Sequence, residues 1–158
     1  MAKPTVLEAI TRAQAAYAHC IDAGRLEEWP DFFVEDDCHY KITTARNHRQ
    51  NLPAGIMWAN SRGMLLDRVT SLRQANIYEP QTYRHILGQP LIVSEGSDAV
   101  RSETSFIVVR VINDGPMDLF AVGRYLDWYD LRGETVKLRE RVVVCDSSRI
   151  DTLLAIPL

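Results

Sequence analysis

Long hydrophobic runs are missing from this sequence. No apolar stretch approaches the roughly 20 residues that cross a bilayer as a helix. The opening residues, MAKPTVLEAI, also lack the charged and then apolar segments of a secretory leader. Cysteine is scarce: Cys20, Cys38 and Cys145 are far apart and odd in number. That argues against a disulfide framework and reads as three reduced, mostly buried thiols of a cytoplasmic protein. An excess of one charge is absent as well, since 18 Lys and Arg stand against 21 Asp and Glu, a net charge of −3. The balance excludes the basic footprint of a nucleic-acid binder and the polybasic patch drawn to membrane surfaces. No G-x-G-x-x-G, Walker A, G-x-S-x-G or H-E-x-x-H motif is present, so no site for redox, phosphoryl or acyl chemistry can be recognised.

What is present suits one folded domain over residues 1–158. Apolar residues make up 46% and charged residues 25% of the chain, the globular average. Thr5 and Glu8 form a capping-box pattern ahead of Val6, Ile10, Ala13, Tyr17 and Cys20 at helical spacing. With Gly24 as a stop, this predicts a helix over 6–23. A second short helix is expected over 26–34, with Pro30 tolerated only because it lies near the first turn. Residues 38–44 alternate as a strand. Residues 45–60 read as a loop with a short extended piece at 56–58, and a third helix is expected from Ser61 to Gln74, with Leu65, Val69, Leu72 and Asn76 in line.

From Tyr83 onward the texture is β. Strands are expected over 84–94, 99–112, 118–131 and 134–146, with turns at Asn113-Asp114-Gly115-Pro116 and Arg132-Gly133-Glu134. The order, helices and then an antiparallel meander, predicts an α+β fold with a curved antiparallel or mixed sheet and three helices on one face. Strand 99–112 puts Phe106 and Val108 on one side and Ile107, Val109 and Val111 on the other. Strand 118–131 divides Val122, Leu126 and Trp128 from Tyr125, Tyr129 and Leu131. Neither side is polar, although a sheet with one wet face should alternate. Helices cover one face only, so the other is expected to meet companion chains; a deep core on both sides of a closed cone is the alternative.

Candidate chemistry is thin. His19-Cys20 and Cys38-His39 are adjacent pairs, and neighbours on a helix or strand point apart, so they chelate poorly. Glu140 shares a strand parity with Val136, Leu138, Val142 and Val144; if that stripe faces the helices it needs a cation, such as Arg84 or Arg124, or it becomes a candidate general base, and otherwise it is an interface charge. Tyr83-Arg84-His85 combines a guanidinium fork with a titratable ring, placing His85 either in a pocket beside Tyr17 or Tyr40 or in an interface network. Subunit contacts are expected at Tyr83, Arg84 and His85, then at Tyr125, Trp128 and Tyr129 as aromatic anchors. Leu153, Leu154 and Ile156 join them, from a tail too apolar to be free.

The segments DDCHYKITTARNH, AGIMWANSRGMLLDRVTSLRQANIYEPQTYRHILGQP and LRERVVVCDSSRIDTLLAIPL give the chain a resemblance to a known family. It resembles the small, or beta, subunit of aromatic-ring-hydroxylating dioxygenases, whose cone-like fold is that of nuclear transport factor 2, ketosteroid isomerase and scytalone dehydratase. The resemblance covers nearly the whole chain. It implies no cofactor here: the Rieske [2Fe-2S] cluster and the mononuclear Fe(II) sit on the large subunit, and a separate NAD(P)H-dependent reductase supplies electrons. It also implies partners, namely the large (alpha) subunit and a beta trimer at the centre of an α3β3 assembly. Two rivals remain open. One is a stand-alone dehydratase or isomerase with His85, Glu140 and Tyr40 around a pocket. The other is an oligomeric binding module with a large empty apolar cone.

Overall fold

The computed structural model describes residues 4–53, 55–74, 80–149 and 154–158. Helix α1, Val6–Asp22, begins in the predicted capping box: the Thr5 hydroxyl accepts the Glu8 amide, and the Glu8 carboxylate accepts the Thr5 amide at 2.7 Å. It ends where Gly24 turns with φ +71°, a conformation that costs glycine little. The second helix differs from expectation. Leu26–Phe32 winds as a 3-10 helix with Pro30 inside it, because a ring that lacks the N–H and crowds the preceding turn does not fit an α-helical interior. Residues 45–60 are not a plain loop. They hold helix α2, Ala45–Arg49, with Thr44 accepting the Asn47 amide, and strand β2, Met57–Ala59. Helix α3 covers Arg62–Gln74 and buries Leu65, Val69 and Leu72; Asn76 lies outside the described residues.

The remaining strands are β1, His39–Thr44; β3, Gln81–Leu87; β4, Leu91–Glu95; β5, Ala99–Ile112; β6, Met117–Asp130; and β7, Lys137–Cys145. They form one seven-stranded sheet in the order β2-β1-β7-β6-β5-β3, with β4 also on β5. The expected strand 84–94 is two strands. Both pair antiparallel with β5, and Gly88-Gln89-Pro90 separates them, since a proline cannot donate to the ladder. The β5-β6-β7 meander is antiparallel as predicted, but β1 runs parallel to β7, so the sheet is mixed.

Register shifts interrupt the ladders at Val108/Val109 and Trp128/Tyr129. Such bulges add twist and bend a sheet. The concave side is closed by α1, the 3-10 helix and α3, and Ile10, Tyr17, Trp29, Phe33, Tyr40, Leu65, Phe106 and Tyr125 fill the space between. Gly123 permits the tightest approach: a Cβ there would lie 1.9 Å from the Val144 carbonyl oxygen.

Candidate functional site

The bulge in β6-β7 decides which charge enters the cone. Trp128 pairs with Glu140 and Tyr129 with Leu138, leaving Arg139 unmatched. One extra residue reverses the parity of everything beyond it. Leu138 and Arg141 therefore face inward, and Glu140 faces outward. The expectation that Glu140 shares a face with Leu138 is wrong for this reason. Glu140 borders a shallow cavity of about 340 Å³ with His39, Lys41, Trp58 and Asn60.

Arg141, absent from the sequence-level candidates, is the buried cation. Its Nε and Nη2 each donate to an Asp127 carboxylate oxygen at 2.8 Å, and both side chains have zero exposure. Burial opposes its charge, but Asp127 outweighs burial and holds the guanidinium pKa well above its usual value. Gln14 donates to Asp127 at 3.1 Å and to Thr104 at 2.9 Å, and Tyr129 donates to Asp127 at 3.3 Å. The guanidinium lies 3.9 Å from the ring centre of Tyr125 and 4.1 Å from that of Tyr17. Segment 154–158 packs against this interior, with Leu154, Ile156 and Leu158 buried. The Leu158 carbonyl accepts from the hydroxyls of Tyr17 and Tyr40, both at 3.0 Å, and Trp29 Nε1 donates to the Tyr17 oxygen at 2.9 Å. Burial pushes the phenols of Tyr17, Tyr40, Tyr125 and Tyr129 upward, so they remain neutral donors.

His85 lies elsewhere. Its ring is 2.6 Å from an Asp22 carboxylate oxygen, its backbone amide donates to the other oxygen at 2.9 Å, and the pair is sealed at 0% and 3% side-chain exposure. Tyr40 instead binds Leu158, and Glu140 points outward, so the dehydratase or isomerase constellation does not form. Buried Leu154, Ile156 and Leu158 take up part of the interior, and a cavity of about 800 Å³ lies between α1, the 3-10 helix and the β6-β7 turn, lined by Val6, Ala13, Phe32, Leu131 and Val136 among others. Residues 154–158 pack into their own chain rather than standing free: Leu154, Ile156 and Leu158 are buried, while Leu153 lies outside the described residues. Tyr83, His85, Tyr125 and Tyr129, expected at subunit contacts, are likewise inside, at 3%, 7%, 1% and 2% exposure. Of the expected contact residues that are described, only Arg84 and Trp128 stay on the outer side. Trp128 is stacked between Arg101 at 4.6 Å and Arg139 at 5.3 Å.

The convex face is apolar at one end. Ile86, Ile107 and Val122 form a rung across β3, β5 and β6, and Val109 pairs with Leu119 and Val111 with Met117. Four of these are open to solvent in the lone chain: Ile86 at 57%, Ile107 at 40%, Leu119 at 64% and Met117 at 75%.

Among the described residues no group of three His, Cys, Asp or Glu side chains converges. Burial pushes the thiols of Cys20 and Cys145 up to about 11 and about 12, so both stay protonated in the free chain. Among the described residues no converging set therefore offers ligands for an iron or iron–sulfur centre. No described helix is long and apolar enough to cross a membrane.

The fold is the cone of the scytalone dehydratase group: a protein from Novosphingobium aromaticivorans assigned to that enzyme superposes with a TM-score of 0.67 at 17% identity, covering 89% of this chain and 83% of its own. Residues 16–152 match the family described as ring hydroxylating beta subunit, and the chain belongs to it: it is a beta subunit of an aromatic-ring-hydroxylating dioxygenase, part of an oxidoreductase. It is 46% identical over 149 residues to subunit beta 1 of the terminal oxygenase component of terephthalate 1,2-dioxygenase from a Comamonas species, covering 94% of this chain and 96% of that one. The structure of another N. aromaticivorans protein, assigned as the beta subunit of such a dioxygenase, aligns with a TM-score of 0.88 at 41% identity over 96% of both chains.

Proposed function

We propose that this chain is the non-catalytic scaffold of a terephthalate-type dioxygenase, organising an α3β3 oxygenase in the cytoplasm. In this reading the large subunit carries the Rieske [2Fe-2S] cluster and the mononuclear Fe(II). A separate NAD(P)H-dependent reductase supplies electrons, and terephthalate with O2 becomes a cis-dihydrodiol. The substrate rests on the 46% identity to the Comamonas subunit. The structural role rests on the convex rung Ile86-Ile107-Val122, an exposed apolar patch of the kind that marks an interface.

Co-expression with the neighbouring large-subunit gene tests both parts. Mass photometry should show a hexamer, and the purified complex with its reductase should consume terephthalate and O2 in equal amounts. A beta chain that stays monomeric beside a folded large subunit would refute the scaffold role. A complex that oxidises another aromatic acid and leaves terephthalate untouched would refute the substrate alone.

A further inference from the structure

The cavity of about 800 Å³ lies at one end of the sheet, where the β4-β5 and β6-β7 turns face α1 and the 3-10 helix. Its floor is apolar. Val6, Ala9, Ala13, Phe32, Leu131 and Val136 line it, and all but Ala9 rest on the core from outside. From Val6 to Ala16 it follows α1 for about 15 Å, room for an extended segment of about five residues. The charges around it are matched, with two exceptions. Glu28 pairs with Arg25 at 2.6 Å and Asp31 with Arg62 at 2.5 Å. Lys137 donates to the Asp31 carbonyl. Arg12 stands near Glu8 and, after the Thr5 hydrogen bonds, helps to lower that carboxyl's pKa. Glu95 and Glu134 are exposed, and among the described residues neither carboxylate has a hydrogen-bond or ion-pair partner.

An apolar trough with two unmatched carboxylates on its rim is complementary to a protruding segment that carries apolar side chains and a lysine or arginine. A second copy of this chain does not supply one. Its exposed apolar residues Met117 and Leu119 adjoin the turn Asn113-Asp114-Gly115-Pro116, which brings another carboxylate, and its cations on the convex face lie on a sheet surface too broad to enter a trough. We propose that the trough receives a segment of the large subunit, with apolar side chains seated against α1, Leu131 and Val136 and a lysine or arginine beside Glu95 and Glu134. The proposal rests on the beta-subunit reading above. It adds a second contact surface, at the end of β6 away from Met117.

Full-length variants co-expressed with the large subunit test it, read by mass photometry over a dilution series. Ala13→Phe fills the trough. It should leave the melting temperature of the lone chain unchanged or raised, and raise the concentration at which the complex comes apart by about tenfold or more, the scale of a lost interface anchor. Glu95→Lys combined with Glu134→Lys, both at exposed positions, should weaken the complex severalfold, and more at low salt than at high, because exposed charges are screened. A complex that withstands dilution as the wild type does, in either variant, overturns the proposal. So does an equal loss of self-association by the lone chain in sedimentation velocity, which would seat a second copy in the trough. Should Ala13→Phe not fold, the double charge variant decides. A wild-type chain that never joins the large subunit refutes the scaffold reading together with this one; a wild-type complex indifferent to the variants refutes this one alone.

Discussion

The two faces of the sheet each depart from the usual arrangement. The concave face, sealed by helices, holds an ion pair, a glutamine and four tyrosine hydroxyls. The convex face, open to water in the lone chain, carries isoleucine, leucine and methionine. Inside, polarity is tolerable because Asp127 gathers bonds from Arg141, Gln14 and Tyr129. A buried pair of this kind is weak evidence for net stability but strong evidence for a defined arrangement, since removing one partner leaves the other stranded. Outside, the rung Ile86-Ile107-Val122 is itself apolar, with Arg84 and Arg124 on neighbouring positions of the same face, and its exposure fits a beta subunit that meets other chains. The inner face serves the fold of the monomer; the outer face is the one proposed above to meet other chains.

Substitutions should separate these roles. The largest effect belongs inside: Asp127→Ala should cost about 3–5 kcal/mol in urea unfolding by stranding the guanidinium, while Asp127→Leu with Arg141→Met should recover most of it. If the double variant is as unstable as the single, the pair does more than neutralise itself. Gly123→Ala comes next. A Cβ 1.9 Å from a backbone oxygen must push β6 from β7, and about 1–3 kcal/mol is the usual cost of overpacking. Outside, Ile107→Glu should shift the unfolding free energy of the isolated chain by less than about 0.5 kcal/mol, yet abolish the hexamer in mass photometry; a hexamer that survives would erase the contrast between the faces.

The smallest effect is electrostatic. Hydrogen bonds from Arg132, then from Arg139, hold the Asp130 carboxyl well below its usual pKa. A carboxyl depressed in the folded state contributes stability above the unfolded pKa of about 4, and loses it as pH falls toward the folded value. Acid titration of the melting temperature should therefore decline below about pH 4 in the wild type, and less steeply in Asp130→Asn.

Much of the fold was legible because its signals are local. The Thr5–Glu8 box needs only three residues of spacing, and it forms as read. Asn113 and Asp114 adopt positive φ, 48° and 58°, at the predicted β5-β6 turn, a conformation their short polar side chains tolerate. The 3-10 helix at Pro30 and the break at Pro90 were signalled by prolines whose reach was underestimated.

The interior site was not read. Strict alternation along LRERVVVC put Glu140 inside, although three consecutive charges, Arg139-Glu140-Arg141, cannot all respect a two-sided pattern and hint at the bulge. Asp127 gave a second hint: it shares the parity of Tyr125 and Tyr129, and a carboxylate there demands a cation.

By itself the sequence determined the order of the main elements, the mixture of helix and sheet, and the family. Those follow from local propensity, periodicity and the run of similar residues along the chain. Only the tertiary structure decided which parity of each strand faces the helices, that Arg141 rather than Glu140 enters the cone, and that residues 154–158 occupy it. Parity beyond a bulge depends on the partner strand, and the packing of a tail depends on the space left by elements distant in sequence; neither is encoded within the segment concerned.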